Sequence, residues 1–325
     1  MTAEDRVLFA VTRQDFLDVH REAVESAGPI RWEEVAATAE RHGVAPIAGH
    51  NLRQCRTGIP AEVSARFERA FFENVLVKAQ EAERLAAAIR RLGEAGYRSM
   101  LLKGAALDLL VYREPWVTTS KDADLLLRAE PGRRLADDER EVRRALYRSG
   151  IECDLPGHHD LDMHGVLPVR YERIWAAARP VDYHGAPAFV MAPEDLLLSL
   201  CVGACRKRFF RLKALFDLSE TAKKGLDWDR FVRQAREDRC EGIAYAALLA
   251  ASRTLGADVP AAVLDSLGVS RTRRALIRTL VERGSLADPS PVLPYASYRW
   301  SQALRSVRVS LTRIVPEHHR PPAPV

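Results

Sequence analysis

Arg98 to Arg128, RSMLLKGAALDLLVYREPWVTTSKDADLLLR, decides the fold of this chain, because it sets a strand, a tight turn and a carboxylate pair in one short unit. Met100 to Leu102 is an apolar run ending in Lys103-Gly104, where glycine permits a sharp turn and close backbone approach to a ligand. Asp122 and Asp124 flank Ala123 and lead into Leu125-Leu126-Leu127, the pattern of a buried strand. Residues two apart on a strand share a face, so both carboxylates project together from Cα atoms roughly 6.6 Å apart. Hard cations such as Mg²⁺ take oxygen ligands, commonly one or two carboxylates plus substrate phosphates. A two-metal site stabilises both the attacking and the leaving oxygen. The candidate for a third carboxylate is Asp162 in His159-Asp160-Leu161-Asp162-Met163-His164, whose alternation reads as a half-buried strand beside that of Asp122 and Asp124, with Asp160 as its fallback.

These residues resemble the DNA polymerase β nucleotidyltransferase superfamily, and within it the bacterial group of uncharacterised nucleotidyltransferases. Leu102-Lys103-Gly104-Ala105, Asp122-Ala123-Asp124 and Asp162 stand where that superfamily has its turn, its Asp-x-Asp and its third acid. Tyr112, Asp162-Met163-His164, and Leu196-Leu197-Leu198 followed by Arg206-Lys207-Arg208 match marks of the bacterial group, and the resemblance covers about residues 32–267. It implies an NTP substrate and Mg²⁺, with Mn²⁺ as an alternative. Asp122, Asp124 and Asp162 would be the metal ligands and catalytic carboxylates, and Lys103, Gly104 and Ala105 would position the triphosphate. Two departures stand out: Gly104-Ala105 replaces the common Gly-Ser, and Lys121 stands near where relatives carry an arginine before Asp-x-Asp. Lys207 and Lys213, from the basic stretch 206–213, are candidates to meet the triphosphate across the cleft, and Asp217 is expected to orient one of these cations.

The chain has 325 residues, 47% apolar and 29% charged, which describes an ordinary globular protein long enough for two or three compact units. No stretch approaches the apolar length needed to span a bilayer and the amino terminus lacks the pattern of a signal peptide, so a cytoplasmic location is expected. A net charge of +5 permits contact with a polyanion without demanding it. Of five cysteines, Cys201 and Cys205 fall one helical turn apart in an apolar run, which points to buried thiols rather than a metal site.

The expected fold class is α+β, a small mixed sheet flanked by helical units. Residues 1–92 read as a helical region, 93–192 as the nucleotidyltransferase core and 193–284 as a second helical domain. Residues 285–325 read as a linker, a basic amphipathic helix and a disordered tail. Apolar residues at three- and four-residue spacing from Val63 through Phe67, Phe71, Val75, Ala79, Leu85 and Ile89 to Leu92 predict one long core-facing helix ended by Gly93 or Gly96. A charged helix is expected over Arg133–Ser149, strands near Ile151–Asp154 and His158–Leu167, and a hairpin around Gly185-Ala186-Pro187. The acceptor, whether small molecule, peptide, protein or RNA, and the oligomeric state are not encoded in any motif. A catalytically retired nucleotide-binding scaffold of the same fold is the alternative function.

Overall fold

The computed structural model describes residues 2–119, 123–130, 161–163, 165–299 and 302–303, together with the backbone of 151–154. Asp122, Lys121, Asp160, His158, His159 and His164 lie outside the described residues, as do the expected helix over 133–149 and the region 304–325.

The architecture is α+β. Helices α1 (Ala3–Val11), α2 (Asp18–Glu25), α3 (Trp32–His42) and α4 (Ala45–Leu52) precede the long α5 (Ala61–Glu94). Strand β1 (Tyr97–Leu101) runs directly into α6 (Lys103–Leu110), followed by β2 (Ala123–Ala129), β3 (Ile151–Asp154), the short α7 (Tyr171–Ala176), β4 (Arg179–Tyr183) and β5 (Ala186–Val190). These strands form one sheet in the order β3-β2-β1-β5-β4. β1 and β2 are antiparallel with Leu101 opposite Leu125, whereas β2 and β3 are parallel with Asp124 opposite Glu152. Helices α8 (Pro193–Arg206), α9 (Leu212–Ala222), α10 (Trp228–Glu237), α11 (Glu241–Leu255), α12 (Ala261–Ser266), α13 (Arg271–Arg283) and α14 (Leu293–Ser297) complete the described chain.

Leu125, Leu126 and Leu127 are buried on β2, as their unbroken apolar run requires of a strand covered on both faces. They join a core cluster that continues from Val7 in α1 through Tyr97 and Met100 in the sheet and on to Leu293 in α14. The hairpin of β4 and β5 turns through His184 and Gly185, at φ 50° and 74°. Positive φ at both positions matches the twist of a two-residue hairpin, so Ala186 and Pro187 belong to β5 rather than to the turn.

Helix α5 has the expected length, and its ends follow the expected apolar period through Val63, Phe67, Leu85, Ile89 and Leu92. Its middle departs from that period. Asn74 and Lys78 point inward there, 5% and 7% exposed, while Val75 is 36% exposed and Ala79 is on the outside. Both inward residues have polar partners: Asn74 Nδ2 donates to the carbonyls of Trp116 (2.7 Å) and Thr118 (3.2 Å), and Lys78 Nζ donates to Asp108 at 2.6 Å. A buried polar group is tolerable when it is hydrogen-bonded, and here it ties α5 to the segment that leads into β2.

Within the stretch expected to be a linker, Leu286 and Leu293 are buried. No helix among the described residues is long and apolar enough to cross a membrane.

Candidate active site

The end of β1, the start of α6 and the start of β2 meet at Asp124. The Leu102 N–H donates to the Asp124 carbonyl at 3.1 Å, extending the β1–β2 ladder by one rung, and Lys103 Nζ donates to Asp124 Oδ1 at 2.8 Å. The Asp124 side chain is 7% exposed and that of Lys103 40%. The turn is made by Lys103 itself, whose φ is 45°, while Gly104 is not among the glycines at positive φ. A left-handed lysine is costly because its Cβ crowds the backbone, and such residues persist where the surroundings over-determine them. Gly104 is instead buried in the first turn of α6. That first turn carries N–H groups without intrahelical partners and the positive end of the helix dipole, beside the Asp124 carboxylate. Ala105, half-buried, lies on the side of α6 that lines a cavity of about 360 Å³ with Val75, Ala82 and Leu85 of α5.

The approach to β2 is clamped from three sides. Asn74 holds the carbonyls of Trp116 and Thr118, the Thr118 hydroxyl lies 3.4 Å from that of Tyr112, and the Thr119 N–H donates to the Gly43 carbonyl at 3.2 Å. Gly43 caps α3 at φ 73°, and a Cβ placed on it would stand 2.9 Å from Thr119 Oγ1, 3.6 Å from Lys213 Cδ and 3.8 Å from the Arg211 guanidinium. Only glycine permits both that backbone angle and that approach. Gly43 is thus where α3, the start of α9 and Thr119, three residues before Asp122 in sequence, come together.

Behind α6 lies a buried polar cluster. Lys213 Nζ donates to Asp217 Oδ2 at 2.9 Å, and Tyr112 donates its hydroxyl to Asp217 Oδ1. Asp217 therefore orients Lys213, as the sequence predicts. Burial, and then the charge of Asp217, push the Tyr112 phenol well above its ordinary range, so it stays a donor. Burial likewise raises Asp108, against the opposing pull of Lys78. Cys201 and Cys205 are buried, and desolvation raises both thiols, Cys205 to about 11. They are inert packing groups, as expected.

Two expectations change. Asp162 is not on a strand: residues 161–163 form a turn, and the strand expected over His158–Leu167 is absent from its described residues. Asp162 Oδ1 accepts from the Gly165 N–H at 3.0 Å and Oδ2 from the Tyr171 hydroxyl at 2.8 Å, while its carbonyl accepts from the Leu167 N–H. Aspartate bonding to backbone a few residues on is a turn-forming habit, and it competes with the alternation read from sequence. The strand that does pair with β2 is β3, which places Glu152 at the register position opposite Asp124. The alternation Ile151-Glu152-Cys153-Asp154 was the sequence signal for it. Lys207 also parts from Lys213: it lines a basic cleft with Arg41, Arg208 and Arg211, whereas Lys213 is held by Asp217.

Among the described residues no group of three or more His, Cys, Asp or Glu side chains could hold a metal ion, Asp122 being outside them. Among the described side chains, Asp124 is the carboxylate at this junction.

A strand turning into a helix thus stands beside an antiparallel strand that carries Asp124. A family model for uncharacterised nucleotidyltransferases matches residues 28–256, well over half of the chain, and the chain belongs to that family. Comparisons with curated proteins and with solved structures found no match.

Proposed function

We propose that the protein transfers a nucleoside monophosphate from an NTP to an acceptor hydroxyl or phosphate, releasing pyrophosphate. The observation that carries this reading is the junction at Asp124: the Leu102 N–H and the Lys103 ammonium both bind Asp124, which brings the turn and the Asp-x-Asp strand into one site. Asp122 and Asp124 would hold Mg²⁺ or Mn²⁺. The bound cation would supply charge neutralisation shared between carboxylates and triphosphate. Lys103, with the Gly104 and Ala105 N–H groups at the α6 N-terminus, would position the triphosphate, and Lys121 and Lys213 would add positive charge around it. Lys213 suits this role because Asp217 fixes its amine in place.

The candidates for a third carboxylate are Asp162, by family pattern, and Glu152, whose register position is opposite Asp124. Asp162→Asn and Glu152→Gln separate the two: the true third ligand loses transfer, and the other keeps it.

A second reading has an observation behind it. Both oxygens of Asp162 are bonded within its own neighbourhood, which suits a scaffold that binds nucleotide without catalysis. Incubation of the protein with each labelled NTP, Mg²⁺ and cell extract, followed by mass identification of whatever acquires the nucleotide, tests transfer. Labelling that requires Asp122 and Asp124 supports the enzyme. Absent labelling, together with a melting-temperature rise from NTP that is equal in EDTA and Mg²⁺, would favour the scaffold.

A further inference from the structure

Helices α8 and α9 are joined by a turn in which Arg208 and Phe209 both take left-handed conformations, at φ 55° and 63°. Phe209 is fully buried and Phe210 is packed against Gly284, so the turn is anchored by its aromatic residues while Arg206, Lys207 and Arg208 remain outside. With Arg41 from α3, Arg211 at the start of α9 and the loop residues Leu286 and Pro289, they line an open cleft of about 520 Å³.

The charged side chains that line this cleft, among the described residues, are basic. Arginines elsewhere reach carboxylates: Arg31 pairs with Glu4 and Glu34, Arg66 with Glu33 and Glu40, and Arg173 with Asp195 and Asp238. Lys207, Arg208 and Arg211 form no ion pair among the described residues, and no carboxylate is among the described residues that line the cleft. Asp5 acts on His42 only weakly, behind the desolvation and the charges of Arg41 and Arg211 that keep the imidazole neutral. His42 accepts the Leu212 N–H on Nδ1 at 3.1 Å and so pins the first turn of α9 to α3. Like charges gathered on anchored backbone are unfavourable unless an anion joins them, and guanidinium groups match phosphate oxygens in geometry.

We propose that this cleft binds the phosphate groups of a polyanionic acceptor, and that Arg41, Lys207, Arg208 and Arg211 are its contacts. The cleft shares Arg211 and the α3 terminus with the Gly43–Thr119 contact, so an anion held there lies beside the chain segment that leads to Asp122. The role of acceptor rests on the transferase reading; the anion site itself does not.

The test uses the full chain in EDTA, to suppress metal-dependent binding at the Asp124 site. Tripolyphosphate is titrated by calorimetry, and a fluorescein-labelled oligoribonucleotide by anisotropy over a range of salt concentrations. The variant is Arg41→Gln with Arg208→Asn, since asparagine tolerates the left-handed backbone. Both probes should bind the wild type, and the variant should bind at least ten-fold more weakly, with a salt slope on the oligonucleotide shallower by about 0.7 per lost contact. Its melting-temperature rise with NTP and Mg²⁺ should equal that of wild type. Tighter binding of the oligonucleotide than of tripolyphosphate identifies nucleic acid as the source of the phosphates; equal binding identifies a small polyphosphate. Unchanged binding in the double variant, or loss only in Lys103→Ala, overturns the proposal. Intact anion binding with no response to NTP and Mg²⁺ would remove the transferase reading and leave the cleft standing.

Discussion

Asp124 and Asp217 make nearly the same contact in opposite settings. Each is a buried carboxylate that meets a lysine among the described residues, at 2.8 Å from Lys103 and 2.9 Å from Lys213. Asp217 also accepts from the buried Tyr112 hydroxyl, its carbonyl accepts from Thr221, and its lysine is 19% exposed within the same helix. Asp124 stands at the sheet end with a lysine that is 40% exposed and held at a left-handed backbone angle. Distance alone does not distinguish a structural ion pair from one at a functional site. What differs is the surroundings: Asp217 shares its oxygens between Lys213 and the buried Tyr112 hydroxyl behind the site, whereas the Lys103 side chain that meets Asp124 is about twice as exposed as that of Lys213.

The comparison breaks most decisively on activity. Asp124→Asn, and Asp122→Asn with it, should lower transfer on the order of 10³-fold or more, the scale on which groups that stabilise transition-state charge act. The melting temperature should change little, because an exposed lysine loses little with its partner. Full activity in both variants would remove the pair from the site.

Asp217→Asn should show the reverse emphasis. It removes the charge opposite Lys213 and leaves one acceptor oxygen where Lys213 and Tyr112 use two, and urea unfolding should report a loss of about 3 kcal/mol. A loss below about 1 kcal/mol would make the Asp217 pair no more structural than the Asp124 pair.

His42 tests the joint between the amino-terminal helices and α9. Burial lowers its pKa from 6.5 to about 4, so the folded protein holds it neutral where the unfolded chain binds a proton. Stability from this group is complete above the unfolded value and falls as pH drops from 6.5 towards 4, by about 3 kcal/mol at most. His42→Asn keeps an acceptor for the Leu212 N–H without a titrating group, and the stability profile across that window should flatten. An unaltered slope would show that His42 titrates normally.

The smallest effect is expected at Lys103. Lys103→Asn places a residue that tolerates φ 45° but takes the lysine from the buried Asp124, so the two effects oppose and stability should change by no more than about 1 kcal/mol while the thermal shift from NTP with Mg²⁺ falls. A variant that is both less stable and undiminished in nucleotide response would assign Lys103 to the fold alone.

Local chemistry made the β1–α6–β2 unit, the ends of α5, the buried thiols of α8 and the Lys213–Asp217 pair legible in the sequence, because apolar period, turn residues and i,i+4 spacing act over a few residues. Three features were decided only in three dimensions. The middle of α5 turns Asn74 and Lys78 inward because Trp116, Thr118 and Asp108 supply their partners from 42, 44 and 30 positions away. Asp162 closes a turn because Tyr171 and Gly165 satisfy its oxygens, and β3 takes the place beside β2 that the alternation around Asp162 had suggested for another strand. The basic cleft joins residue 41 to residues 206–211 and 286–289, a union that no local pattern records. Sequence period reports which side of an element prefers water; which polar groups are buried depends on partners that arrive only when distant segments pack.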